Sequence, residues 1–300
     1  MSTAVVVDST AQLSAARRAE LEAALGGLFR VVDLSVEVGE EMRADGGWSP
    51  DELCEHMRSG ARVQTSMPSA QAFSAALGEL AERGAVEVLV LTLPAVLSGT
   101  HGSAVAAAAE HPELTVHLID SRTTSAGLAG AVAVAVAGIA SDLPPAAVTG
   151  EVADWCEAET RTFFVPEDLE YLRRGGRIGR AASLLGRALA ITPVLGLREG
   201  AVVPLARVRT MAKAEDRLVA LVAESCAEYR ERAADAALEV VLLHPESTPE
   251  TAGAGVRRMQ EKLAAADLPA GTVVRTEVLS TVITAHVGPG ALGVAVQTRP

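Results

Sequence analysis

At 300 residues, 49% hydrophobic and 21% charged, the chain is long enough for two globular domains and too apolar to be disordered. A net charge of −12 excludes a general nucleic-acid binder, because neutralising phosphates takes clustered Lys and Arg, and aromatics at 3% leave the cores aliphatic. Cys54, Cys156 and Cys226 are odd in number and form no C-x-x-C pair, so no metal site and no disulfide framework is expected and a reducing cytoplasm fits.

The first residues, MSTAVVVDST, show neither the basic region nor the apolar length of a targeting segment. Ala4–Val7 reads as a short strand ending in Asp8-Ser9-Thr10. Leu13–Leu25 has helical spacing and closes at Gly26-Gly27. Arg30–Val36 is a second strand and Gly39–Gly47 a polar loop. Ser49-Pro50-Asp51-Glu52 has the chemistry of a helix start, and that helix runs to about Gly60. Val63–Thr65 is a brief strand, followed by Ser66-Met67-Pro68-Ser69, in which Ser69 caps a helix over Ala70–Arg83.

Val86–Leu93 is a nearly continuous apolar run, the mark of a strand buried on both faces. It leads through Leu97-Ser98-Gly99-Thr100 into an Ala-rich helix from His101 to Glu110. Val116–Ile119 ends in Asp120-Ser121-Arg122-Thr123-Thr124 before the apolar stretch Ala126–Ala140. Those 15 residues fall short of the ~20 that span a bilayer, so they predict a buried helix. Strands alternating with helices predict a parallel sheet with right-handed crossovers.

Four strand ends carry hydroxyls: Ser9-Thr10, Thr65-Ser66, Ser98-Thr100 and Ser121-Thr123-Thr124. In one parallel sheet these turns would share an edge, where ligands bind and where a helix N-terminus favours an anion. They suit a carboxylate or phosphate and poorly suit a metal. The competing reading is ordinary helix capping by Ser and Thr, and the residues alone leave both open.

Past a helix at Ala147–Glu159 and a strand at Thr162–Val165, the composition changes. Tyr171–Arg198 contains no acidic residue, yet Arg173, Arg174, Arg177, Arg180, Arg187 and Arg198 fall there. The patch is either a docking surface for an acidic partner or a phosphate, or a solvated face paired with carboxylates from elsewhere. Leu195–Leu205 reads as a hairpin turning at Glu199-Gly200, the second strand running on to Val208. A long helix at Ala212–Arg232, a strand at Val240–Leu243 and a helix at Pro249–Ala265 follow. Strands at Val273–Leu279, Val282–Ala285 and Val294–Thr298 make the second domain α/β with a mixed sheet.

Gly288-Pro289-Gly290-Ala291-Leu292-Gly293 satisfies G-x-G-x-x-G, but a dinucleotide fingerprint needs a following helix and an acid about 20 residues on. Only seven residues remain, none acidic, so the glycines serve a tight turn before the last strand. His286 beside them is either a structural histidine or a partner for a ligand carboxylate. A serine hydrolase using Ser98 and His286 is the rival function, without a G-x-S-x-G elbow or an obvious orienting acid.

The chain resembles the DegV family, the fatty-acid-binding subunits of bacterial fatty acid kinases, almost end to end. The resemblance rests on Asp8-Ser9-Thr10, Thr65-Ser66-Met67-Pro68-Ser69, Leu97-Ser98-Gly99-Thr100, Asp120-Ser121, Leu169-Glu170-Tyr171-Leu172 leading into Gly175-Gly176-Arg177-Ile178, and Gly288–Gly293. It implies a two-domain α/β fold, with a Rossmann-like parallel domain over 1–158 carrying the carboxylate site and a mixed-sheet domain over 159–300 covering the acyl tail. The ligand would be one long-chain fatty acid held between the domains. Its carboxylate would meet Thr65 and Ser98, with Ser66, Gly99, Thr100 and His286 close by. The resemblance further implies no catalysis by this chain and no cofactor. A separate ATP-using kinase subunit, docking on the patch that includes Arg173, Arg174 and Arg177, would make acyl phosphate for phospholipid synthesis. One departure stands out: the family commonly has His-Thr before Gly-Pro-Gly, where this chain has His286-Val287.

Overall fold

The computed structural model describes residues 2–184, 191–246 and 253–299. The N-terminal half runs β1 (Thr3–Asp8), α1 (Ala15–Ala24), β2 (Phe29–Val32), β3 (Ser35–Val38), β4 (Glu41–Ala44), α2 (Pro50–Arg58), β5 (Val63–Ser66) and α3 (Ala70–Glu82). It continues with β6 (Glu87–Thr92), α4 (Thr100–Ala108), β7 (Thr115–Asp120), α5 (Ala126–Ala140) and α6 (Pro145–Ala158). Next come β8 (Thr160–Val165), α7 (Leu169–Arg174), β9 (Thr192–Arg198), β10 (Ala201–Val208) and α8 (Met211–Arg232). The chain closes with β11 (Leu238–His244), α9 (Gly253–Ala265), β12 (Val273–Val278), α10 (Thr281–Val287) and β13 (Leu292–Thr298).

Two compact units result, one of residues up to 35 and 66–158, the other of 36–65 and 159–299. The sequence expectation ran the first domain unbroken from 1 to 158; residues 36–65 instead belong with the second unit.

The first unit holds a four-stranded parallel sheet in the order β2-β1-β6-β7. Ala4–Val7 of β1 and Val88–Leu91 of β6 are apolar and buried, as strands covered by helices on both faces are. α5 is buried nearly all round, from Ala126 to Gly138, and packs on α6, β1 and β6. Among the described residues no helix is long and apolar enough to cross a membrane.

The second unit holds a six-stranded mixed sheet, β10-β9-β8-β13-β11-β12, antiparallel except for the pair β11–β12. α8 and α9 cover one face through Leu218, Val222, Cys226, Val256 and Met259. Glu199 and Gly200 take positive φ (50° and 77°), the pairing that a tight hairpin turn between β9 and β10 requires. A small sheet in the order β4-β3-β5 belongs here too. α2 opens with a capping box: Ser49 accepts from the Glu52 N–H, and the Glu52 carboxylate accepts from the Ser49 N–H.

Four expectations are corrected. The strand read over Arg30–Val36 is two strands, β2 and β3, in different sheets. Gly39–Gly47 contains β4, whose residues carry no apolar alternation because it is largely exposed. Val282–Ala285, read as a strand from its β-branched residues, is helical: Ser280 caps Ile283 N–H, and Asp45 accepts from the Val282 N–H and the Thr281 hydroxyl. Finally, Thr65 and Ser66 are the last residues of β5 itself, which is no part of the parallel sheet, so only three of the four groups of hydroxyl residues share its edge. The first part of the helix expected at Pro249–Ala265, and Arg187, lie outside the described residues.

Candidate functional site

Two of the three turns on the parallel edge are committed to structure. Buried Asp8 accepts from the Thr10 N–H and hydroxyl (2.9 and 2.6 Å) and from the Leu93 N–H (2.6 Å), tying β1 to the end of β6. Ser9 Oγ accepts from the Leu34 N–H at 3.1 Å, and Ser121 donates to the Thr92 carbonyl at 2.7 Å. Asp8, Ser9, Thr10 and Ser121 fit the bracing reading, whereas Thr124 Oγ1 is buried with no hydrogen-bond partner among the described residues.

The third turn differs. Ser98 is partly exposed, its hydroxyl 2.8 Å from that of Thr100 and accepting weakly from the Thr100 N–H at 3.3 Å. Gly99 is the N-cap of α4 and, lacking a side chain, makes no cap hydrogen bond of its own to that turn. A side chain at Gly99 would collide with the Met67 sulfur. The partly exposed Ser98 hydroxyl, backed by the buried Thr100 hydroxyl, thus stands at the start of α4 in the first unit.

In the second unit the structure joins Thr65 and His286, 221 positions apart, through Thr65 Oγ1 and His286 Nε2 at 2.9 Å. Thr65 ends β5 with Ser66, and both are partly buried. His286 sits on α10, not near a strand end as the sequence suggested. Its Nδ1 is buried with no hydrogen-bond partner. Burial, reinforced by the Arg177 guanidinium, pushes the imidazole down to about 4, so the ring is neutral at physiological pH.

Glycines set this ring in place. A Cβ at Gly175 would stand 3.0 Å from His286 Cε1 and closer still to Nδ1. Gly288, at φ 84°, lies under the Tyr171 ring, where a Cβ would be 2.8 Å from Cγ. Thr65 and His286 open on a cavity of about 430 Å³ lined also by Arg62, Gln64, Tyr171 and Arg177. Among the described residues no acid lines it. Sequence reasoning missed Arg62 and gave Tyr171 and Gly175 no role at the site, although the run Leu169-Glu170-Tyr171-Leu172 leading into Gly175-Gly176-Arg177-Ile178 was a visible signal.

The arginine patch divides. Arg173 and Arg174 both bind Glu170, just outside the acid-free stretch, and hold its carboxyl down to about 2. Arg177 donates to the Gly175 carbonyl at 2.6 Å. The pairing reading thus applies to the first two, while Arg174 and Arg177 also line the cavity.

Nothing favours the hydrolase. The Ser98 hydroxyl is engaged by Thr100, His286 Nε2 by Thr65, and no carboxylate orients His286 Nδ1. Among the described residues no group of His, Cys, Asp and Glu could hold a metal ion.

Comparison with known proteins agrees with this architecture. Residues 2–299 match the family profile described as "Uncharacterised protein, DegV family". A DegV domain-containing protein of Streptomyces coelicolor is 36% identical over 299 residues, covering 99% of this chain and 98% of the relative. A DegV family protein from Thermus thermophilus, solved as a study of fatty acid binding, superposes with a TM-score of 0.83 at 30% identity, covering 99% and 100% of the two chains. A fatty-acid-binding DegV family protein from Streptococcus agalactiae gives 0.84 at 25% identity over 100% and 99%. Matched from end to end in sequence and in fold, the chain belongs to the DegV family.

Proposed function

We propose that this protein binds a long-chain fatty acid in the cytoplasm and presents its carboxylate to a separate ATP-dependent kinase subunit. That subunit forms the acyl phosphate that feeds phospholipid synthesis. The chain itself performs no catalysis, needs no cofactor, and neither binds nucleic acid nor inserts stably in membranes. The observation that carries the reading is the Thr65–His286 hydrogen bond on a cavity that, among the described residues, no acid lines. A hydroxyl and an imidazole on a cationic wall can offset the desolvation of a carboxylate, which costs several kcal/mol if unpaired. Ser66, Ser98, Gly99 and Thr100 serve as further ligand contacts. The tail supplies most of the affinity: at about 0.8 kcal/mol per methylene, a long chain gains roughly 10 kcal/mol before association costs. Relatives known for fatty acid binding support the ligand class.

Gentle mass spectrometry of the purified protein is expected to find one long-chain fatty acid per chain. Thr65→Ala combined with Ser98→Ala is expected to weaken retention by at least about 100-fold, each loss removing a hydrogen bond to a charged group worth ~1.5–3 kcal/mol. Protein that stays empty after incubation with fatty acids would overturn the reading.

The kinase is proposed to dock on the surface that carries Arg173, Arg174 and Arg177. Arg173 is half exposed and its ion pair to Glu170 is local, so it can turn to a partner's carboxylates. Arg173→Glu is expected to retain lipid while slowing acyl phosphate formation by the kinase at least tenfold. Wild-type phosphorylation rates in that variant would dismiss this surface.

A further inference from the structure

A hydroxyl, an imidazole and a carboxylate are joined in series on the first unit, at residues outside the proposed lipid contacts. Ser74 Oγ lies 2.9 Å from His111 Nε2, and His111 Nδ1 lies 2.8 Å from Glu113 Oε1. Ser74 sits in the second turn of α3, while His111 and Glu113 belong to the loop joining α4 to β7. That loop is held by its own backbone: His111 N–H donates to the Ala108 carbonyl and Leu114 N–H to that of His111. Gly78, one turn beyond Ser74, makes room for the ring; a Cβ there would already be 3.4 Å from His111 Cε1. The imidazole is 13% exposed and the Glu113 side chain 54%. A backbone hydrogen bond and His111 hold the Glu113 carboxyl below its ordinary range.

Bracing α3 against the loop would need one hydrogen bond. Here both ring nitrogens are engaged, in the order that activates a hydroxyl. Ionised Glu113 accepts from Nδ1–H, which fixes the tautomer and turns the Nε2 lone pair to the Ser74 hydroxyl. We propose that Ser74 is a covalent modification site, a base-activated nucleophile that takes an acyl group from a neutral activated donor of the thioester or aryl ester class. Ser74 attacks the carbonyl carbon as its proton passes to His111 Nε2. The bond from that carbon to sulfur or aryl oxygen breaks, the electron pair leaving with the sulfur or oxygen. The imidazolium then protonates the leaving group, giving O-acyl Ser74 and a free thiol or phenol.

The donor class follows from the surroundings. Ser74 lies inside a helix whose N–H groups bond its own carbonyls, so the site offers no preformed oxyanion donors from that backbone and depends on a good leaving group. Glu110 and Glu113 disfavour anionic donors.

The test is incubation of the intact protein with p-nitrophenyl acetate and, separately, the thioester N,S-diacetylcysteamine, followed by whole-protein mass and peptide mapping. One acetyl group at Ser74 is expected, added only where the His111 imidazole is free to take the Ser74 proton. Ser74→Ala abolishes the label, and His111→Gln slows it about 100-fold or more. Acetyl groups confined to the chain's two lysines, Lys213 and Lys262, or to the N-terminus would overturn the proposal. So would wild-type labelling of Ser74 in His111→Gln. The map of the unmodified sequence decides the first question whether or not either variant folds.

Discussion

Gly288→Ala is expected to destabilise the second unit by about 3 kcal/mol or more, seen as a lower urea midpoint at unchanged slope. Two costs combine. The backbone at Gly288 has φ 84° and ψ 163°, a region essentially confined to glycine, which costs any other residue ~1–3 kcal/mol. The added methyl also meets the Tyr171 ring, and overpacking of this kind costs ~1–3 kcal/mol. The damage would reach the ligand site. Gly288 ends α10 two residues after His286, and Tyr171 lies on α7 four residues before Gly175, the residue against which the imidazole is packed. Fatty acid retention is therefore expected to fall together with stability. A midpoint equal to that of the unsubstituted protein would show that the ring and the turn yield without cost.

The second large effect comes with acid. His286 titrates at about 4 in the folded protein, against ~6.5 in an unfolded chain, so the unfolded state takes up its proton first. The stability linked to this group is fully present above pH ~6.5 and is lost as pH falls towards about 4. The loss amounts to about 2–3 kcal/mol over that window, at 1.36 kcal/mol per pH unit. Buried His244, whose pKa is lowered chiefly by desolvation, acts with the same sign. Urea midpoints at about pH 7, 5 and 4 should therefore fall more steeply for the unsubstituted chain than for His286→Gln, which keeps a partner for Thr65 but cannot titrate. Parallel profiles for the two proteins would remove His286 from the account. A carboxylate arriving beside the neutral ring favours its charged form, so ligand binding is expected to draw in protons below neutral pH.

What the chain reveals before folding tracks how local each cause is. Ser49 and Glu52 cap α2 from three residues apart, and Glu199-Gly200 turns a hairpin through its own dihedrals; both causes lie within a few positions. β6 and α5 announce themselves by continuous apolarity because they are buried on all sides. α10 was misread because Val282 and Ile283 favour strand locally, while the carboxylate that satisfies the Val282 N–H belongs to Asp45, 237 positions away. β4 was missed because an exposed strand of Glu, Met, Arg and Ala takes its register from its neighbour rather than from its own pattern. The candidate site divides the same way. The hydroxyls were visible as types, but half of their apparent pattern was bracing around Asp8 and Ser121. The partnership of Thr65 with His286, and that of Ser74 with His111 and Glu113, depend on chain segments that meet only once the units have formed.

The membership of residues 36–65 in the second unit carries a cost in time. Val36, Val38, Trp48, Leu53, Cys54 and Met57 are buried in the finished protein, yet the segments that complete their unit begin only at residue 159. At ribosomal rates of ~5–20 residues per second, the intervening stretch takes roughly 5–20 s to emerge. During that interval an apolar insert hangs from a first unit whose remaining strands are still being made. The nascent chain therefore passes through a stage in which this segment needs shielding, and neither unit can be obtained by a single cut of the polypeptide.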